Sequence, residues 1–228
     1  MIFITDASQL DLAQAWVYKL LTVPQRQRVR KIHHVDDAQL YIASHLVQLY
    51  IASQSGPLQD AIAYTSTGRP YLRNQPDWDF NLTNHGGFVA SVLEKQPGAR
   101  VGIDLADCDE PVVDSFLESN QIFTDAEIDT IKSAPNHSTV FYTLWALKEA
   151  YFKYTGEGIA RVTMSSIEFQ LNSQYDQVCS IALNGEPLHL ETYITRVSNL
   201  VLAVVGTGIS DRYITTLSLD TIKQALGL

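Results

Sequence analysis

A tryptophan, a carboxylate and an ammonium group occupy positions 145, 149 and 153 of the stretch WALKEAYFKY, residues 145–154. At i, i+4 and i+8 they fall along one edge of a helix. A solvated Glu–Lys pair on such an edge contributes only a few tenths of a kcal/mol. Here Trp145 and Phe152 wall the Glu149 carboxylate, and a charge stripped of water needs a partner. A second carboxylate is available in RVGIDLAD, residues 100–107. In a strand Val101, Ile103 and Leu105 share one face, so Asp104 points to the other. Two carboxylates can share a hard divalent cation, and Lys153, one turn along, suits a phosphate that the cation also touches. That is the chemistry of a pyrophosphate site.

These groups depend on the elements that carry them. Val140, Leu144, Leu147, Tyr151 and Tyr154 form one apolar stripe of a helix from about 139 to 154, while Trp145, Lys148, Glu149, Phe152 and Lys153 gather on the opposite half. Asn136 or Ser138 caps its start and Gly156 ends it. Thr124 with Glu127 three residues on predicts a capping box opening a helix to Ser133, and a shorter helix is expected over 111–117. Upstream, 24–53 reads as two helices broken near HHVDDA. AIAYTS is a strand followed by the turn TGRPYL. DFNLTNHGGFVASVL reads as two strands joined by a turn at 84–87. The last seventy or so residues are strand-like (SIEFQL, VCSIAL, LHLETYI, LVLAVVG, YITTLS). The class is α+β, with antiparallel strands favoured by short turns.

With 46% hydrophobic and 18% charged residues, the 228-residue chain can build a core. Its net charge of −9 argues against broad nucleic-acid binding, which needs a basic face. Within QRQRVRK, however, Arg26, Arg28, Arg30 and Lys31 form a local cationic patch, which reads equally as a solvated helix face or as a site for an anionic ligand. No stretch is long and apolar enough for a membrane span and MIFITDASQL lacks the pattern of a secretory leader, so a cytoplasmic protein is expected. Cys108 and Cys179 lie far apart without metal-ligand spacing, and free thiols are expected.

VGIDLAD followed by WALKEAYFK resembles the motif pair G-[IV]-D and W-x-x-K-E-[AS]-x-x-K of the phosphopantetheinyl transferases. GRP at 68–70 and FNLTNHGG at 80–87 resemble the two upstream motifs of the larger, surfactin-type class. The resemblance implies two similar α+β halves side by side, drawn here as residues 1–110 and 111–228 of one pseudo-twofold unit, with coenzyme A in the cleft between them. It implies transfer of the 4′-phosphopantetheine arm of coenzyme A to a serine of an apo acyl- or peptidyl-carrier protein by a monomer, with release of 3′,5′-ADP. Carried over by position, Asp104 and Glu149 are the Mg²⁺ ligands, with Mn²⁺ as a substitute, and Glu149 is also the base. Lys153 contacts the pyrophosphate. Arg69 lies near the adenine and 3′-phosphate, and Arg28 and Lys31 reach the same phosphate. Pro70, Thr83, Asn84, His85 and Lys148 complete the expected coenzyme A contacts.

Two positions depart from the pattern. Many members carry D-x-E where this chain has Asp104-Leu105-Ala106, so a third carboxylate is missing, as it also is in animal-type members. In FNLTNHGG, Asn84 takes the place of the usual His and His85 that of the following Ser; either can reach a phosphate. A coenzyme A or carrier-binding protein without transferase activity is the alternative raised by Ala106. A coenzyme A pyrophosphatase is another, separated by whether a carrier is needed for product.

Overall fold

The computed structural model describes residues 1–58, 61–112, 114–118, 121–156, 163–209 and 213–228. In chain order its strands are β1 (Ile2–Asp6), β2 (Ile62–Tyr64), β3 (Pro70–Leu72), β4 (Asp79–His85), β5 (Phe88–Glu94), β6 (Arg100–Asp107), β7 (Ile167–Leu171), β8 (Val178–Leu183), β9 (Glu186–Pro187), β10 (Glu191–Val197), β11 (Leu200–Thr207) and β12 (Ile214–Thr216). The helices are α1 (Val23–Val29), α2 (Val35–Ser53), α3 (Asp114–Glu118), α4 (Asp125–Ser133), α5 (His137–Thr155) and α6 (Leu219–Ala225). None of the described helices is long and apolar enough to cross a membrane.

Local chemistry sets these boundaries. Thr22 opens α1 with a capping box, and Thr124 opens α4 with the one expected from Glu127. Asn136 caps α5 by accepting from Thr139 N, and Gly156 ends it in the left-handed conformation at φ 73°. The turn between β4 and β5 is Gly86-Gly87, with φ of 56° and 84°, values that a two-residue hairpin needs and glycine adopts freely.

Two sheets carry the architecture, ordered β12-β1-β5-β4 and β10-β11-β6. They stack. Ile2, Ile4, Ala90 and Val92 of the first meet Val101, Ile103, Leu105, Leu202 and Val204 of the second in one buried cluster. On the outer face of the first sheet, Phe3, Phe80, Val89 and Leu93 pack beneath α2. On the outer face of the second, Ala106, Val201, Ala203 and Val205 pack beneath α5. The α+β class and the two helix-on-sheet units are as expected. Period-two alternation explains the division of β6: its odd residues face the other sheet, and Asp104 and Ala106 face α5.

Sheet pairing crosses the division drawn after residue 110 in two places. β6 pairs antiparallel with β11, placing Asp104 opposite Ala203, because its apolar face is completed by strands from late in the chain. β12 returns to pair parallel with β1, and Ile222 of α6 is buried in the cluster beneath α2. The short α3 covers the latter part of the helix expected over 111–117.

Candidate functional site

Asp104 and α5 are held together by a missing side chain. A Cβ at Gly102 would lie 2.0 Å from Ala150 O and 2.5 Å from Tyr154 N, so only glycine lets the helix backbone press onto β6 at this level. Asp104, Glu149 and Lys153 consequently face one another across the strand–helix contact. Lys153 Nζ donates to Asp104 Oδ1 at 2.6 Å and to Ile103 O at 3.2 Å. Thr83 Oγ1 donates to the same Oδ1 at 2.9 Å. Both bonds land on Oδ1, and a carboxylate keeps acceptor capacity on its second oxygen. Burial pushes the Glu149 carboxyl up, and the Asp104 charge adds to the effect while Lys153 opposes it.

Glu149 and Lys153 line a cavity of about 400 Å³ with Gly68, Arg69, Pro70 and Asn81. The GRP turn is therefore beside the two helix charges. Two other cavities, about 460 and 560 Å³, lie against β8 and β10, and none of the candidate residues lines them.

Arg69 is bound into the protein. Its Nη2 donates to Asp79 Oδ2 at 2.6 Å and to Val101 O at 2.6 Å, and its Nη1 donates to Lys153 O. Asp79 Oδ2 also accepts from Val101 N at 2.8 Å, and Asn81 Oδ1 from Ile103 N at 3.1 Å. Asp79, Asn81 and Thr83 recur at period two along β4. Their side chains take the place of a backbone ladder and join β4 to β6.

The basic patch reaches the site side of α2. The Arg28 guanidinium lies 5.0 Å over the Tyr41 ring, Asn84 Nδ2 donates to Ser44 Oγ at 3.2 Å, and Tyr64 OH donates to Gln48 Oε1 at 3.0 Å. Tyr41, Ser44 and Gln48 share one helix face, so α1, the end of β4 and the β2–β3 hairpin meet along it. Arg28 and Lys31 are exposed.

Two candidates lie elsewhere. Lys148, drawn with Glu149 on the mixed helix half, is wholly buried beneath α5. Its ammonium pairs with Glu127 Oε2 at 2.7 Å and donates to Met164 O and Ile167 O. Glu127 Oε1 accepts from Phe169 N at 2.9 Å. A helical wheel cannot show that a second layer covers the charged half; the only sequence trace of this partner is Glu127 in its capping box. His85 turns away from Asn84 toward two carboxylates, with Nε2 3.6 Å from Glu110 Oε1. His85, Ala106, Asp107 and Trp145 border a separate cavity of about 200 Å³. Its acidic rim shows in Tyr142, whose phenol is pushed up by burial and then by Glu110 and Asp107.

The family model "ACPS: 4'-phosphopantetheinyl transferase superfamily" matches residues 100–205, the span bearing Asp104, Glu149 and Lys153. Over 195 residues the chain is 28% identical to the L-aminoadipate-semialdehyde dehydrogenase-phosphopantetheinyl transferase of Schizosaccharomyces pombe, covering 72% of this chain and 76% of that one. Over 174 residues it is 24% identical to 4'-phosphopantetheinyl transferase Sfp of Bacillus subtilis, covering 74% and 75%. Among solved structures, the Thermotoga maritima holo-[acyl-carrier-protein] synthase overlays with TM-score 0.36 and 21% identity, covering 47% of this chain and 61% of that one.

Proposed function

Since this chain belongs to the 4'-phosphopantetheinyl transferase superfamily, we propose that it moves the 4′-phosphopantetheine arm of coenzyme A onto a serine of an apo acyl- or peptidyl-carrier protein and releases 3′,5′-ADP. The observation that carries this reading is that Glu149 and Lys153 line one cavity with the GRP turn while Lys153 reaches back to Asp104. All three come from one chain, so a monomer suffices.

The donor set fits magnesium. The Asp104 and Glu149 carboxylates are hard oxygens, and the repulsion from Asp104 that adds to burial in raising Glu149 is what a dication would relieve. Two carboxylates are a short complement, and phosphate oxygens and water supply the remainder. Mn²⁺ accepts the same oxygens. When bound, the ion would neutralise charge gathering on the pyrophosphate. The chain's own groups do the rest. The Lys153 ammonium leaves Asp104 for the phosphate as that charge develops. Glu149, a stronger base than an exposed carboxylate, accepts the serine hydroxyl proton as the serine oxygen–phosphorus bond forms and the bond to the leaving 3′,5′-ADP breaks. Thr83 fixes the Asp104 rotamer, and Arg69 locks the GRP turn to α5. Arg28 and Lys31, with Asn84 across α2, supply positive and polar groups for the 3′-phosphate.

Incubation with coenzyme A, Mg²⁺ and a panel of apo carrier domains tests the reading. Mass spectrometry should show one arm gained per carrier and an equal amount of 3′,5′-ADP. Coenzyme A bound without any carrier modified would favour the binding protein instead, and 3′,5′-ADP formed without a carrier would favour a pyrophosphatase.

A further inference from the structure

The end of β6 and the loop after it hold a second set of hard and borderline ligands. Asp107, three residues after Asp104, lies beside a cavity that Tyr142 and Trp145 of α5 also line. One donor atom each from His85, Asp107 and Glu110 lie within 4.8 Å of one another. The three come from different parts of the fold: His85 ends β4 of the first sheet, Asp107 ends β6 of the second, and Glu110 lies in the loop beyond.

Each is held by its own backbone or neighbour. The Gly87 carbonyl, two residues after His85, accepts from Ala7 N at 2.8 Å. Asp107 Oδ1 accepts from Asn199 Nδ2 at 2.7 Å and from Asp109 N at 2.8 Å, an outer shell that aims Oδ2 outward. Ser138 Oγ donates to Glu110 O at 2.9 Å and to Cys108 O at 2.7 Å, tying the loop to the first turn of α5. The two carboxylates have no Lys or Arg ion pair among the described residues; the neighbouring Arg196 gives its Nη1 to Cys108 Sγ at 2.6 Å. Like charges brought together without a counter-cation, beside a cavity walled by Phe116, Tyr142 and Trp145, favour binding of an external cation.

We propose that His85, Asp107 and Glu110 form a site for a divalent transition metal, with Zn²⁺ the ion of best fit, distinct from the Asp104–Glu149 pair. One imidazole and two carboxylates suit Zn²⁺ better than Mg²⁺, which prefers an all-oxygen shell. The His85–Glu110 separation of 3.6 Å is close to the spacing of two donors on one tetrahedral ion. The ion joins the tip of the β4–β5 hairpin to the strand carrying Asp104, and so clasps the first sheet to the second.

The test uses the full chain carrying Asp104→Asn and Glu149→Gln, without coenzyme A, so that it is independent of the transferase reading. Zn²⁺ titrated against a chelating indicator should fill one site. His85→Ala and Glu110→Gln, added singly to that background, should each weaken it by at least ~10-fold, as loss of a metal contact does. Co²⁺ should give a visible absorption band that His85→Ala shifts or abolishes. Zn²⁺ should also raise the melting temperature of the wild-type chain and leave that of His85→Ala unmoved, since only the folded clasp binds it. Absence of a saturable site, or equal Zn²⁺ affinity with and without His85, overturns the proposal. Should His85→Ala fail to fold, the surface change Glu110→Gln makes the same decision alone.

Discussion

Helices α2 and α5 each run for 19 residues and each covers the outer face of a sheet, but they differ in what they bury. Beneath α2 lie Ala38, Ile42, Ala43, Leu46, Val47, Ile51 and Ala52, all neutral. His45, partly buried on this helix, is biased toward its neutral form: burial lowers its pKa and outweighs the bond to Leu20 O, which raises it, while Gln25 Nε2 meets Nδ1 at 3.1 Å and Leu20 O meets Nε2 at 3.4 Å. Helix α5 buries a lysine completely and sets a carboxylate and a second lysine at the cavity. The contrast follows from partners. Around Lys148 the chain supplies Glu127 and two carbonyls, so burying the charge is tolerable; around His45 it supplies neutral groups, so the charge is given up. One helix-on-sheet unit can thus serve as a polar wall for a ligand while its counterpart carries the reacting charges.

The sharpest way to break this comparison is to strip α5 of its buried partner. Lys148→Met should cost about 3–5 kcal/mol in chemical denaturation by leaving Glu127 buried and uncompensated, and adding Glu127→Gln, which removes the charge and still accepts from Phe169 N, should recover part of the loss. Little loss in the single mutant would show that the pair is not the anchor described. Next in size, Glu149→Gln should lower carrier modification by at least ~10² while leaving the melting temperature near wild type, because the change removes charge and keeps shape. On the α2 side, Arg28→Ala should weaken coenzyme A by about 10-fold and dephospho-coenzyme A hardly at all, the mark of a contact to the 3′-phosphate. Equal losses for both ligands would move Arg28 out of that role.

The smallest effect concerns pH. With the folded His45 pKa below its unfolded value of about 6.5, the unfolded chain takes up the proton first as pH falls. Its contribution to stability is fully present above that value and is lost as pH falls through the lower, folded pKa. A plot of unfolding free energy against pH should therefore slope downward in acid less steeply for His45→Gln than for wild type, and parallel plots would remove His45 from the account.

Much of the site was legible because its residues are short-range and patterned. Trp145, Glu149 and Lys153 sit on one helix edge, Asp104 opposes an apolar strand face, and caps at Thr124, Asn136 and Gly156 bound the helices where expected. Sequence reading failed wherever a partner came from far along the chain. Helical periodicity puts Lys148 on the mixed half beside Glu149, and nothing local announces that Glu127 and residues 164–167 cover it. Arg69 looked free for a ligand because its partners, Asp79, Val101 and Lys153, are gathered only by the fold. His85 and Glu110 are 25 positions apart and meet through a hairpin tip and a strand end. β12 lies within YITTLS, which reads as a strand, but β1 and the parallel pairing of the two leave no signature beyond a few apolar residues.

That last pairing bears on how the protein is made. β1 leaves the ribosome long before its outer neighbour, Ile214–Thr216; Thr5 Oγ1 likewise waits for Leu217 O, 212 residues later. At ordinary elongation rates the interval is about 10–40 s. Throughout it the edge of β1 offers unpaired amides and carbonyls to any passing strand, a hazard that a folded edge normally avoids. The first sheet is therefore completed only once Ile214–Thr216 has emerged, and shelter for the waiting edge of β1 favours efficient production of the protein in a cell.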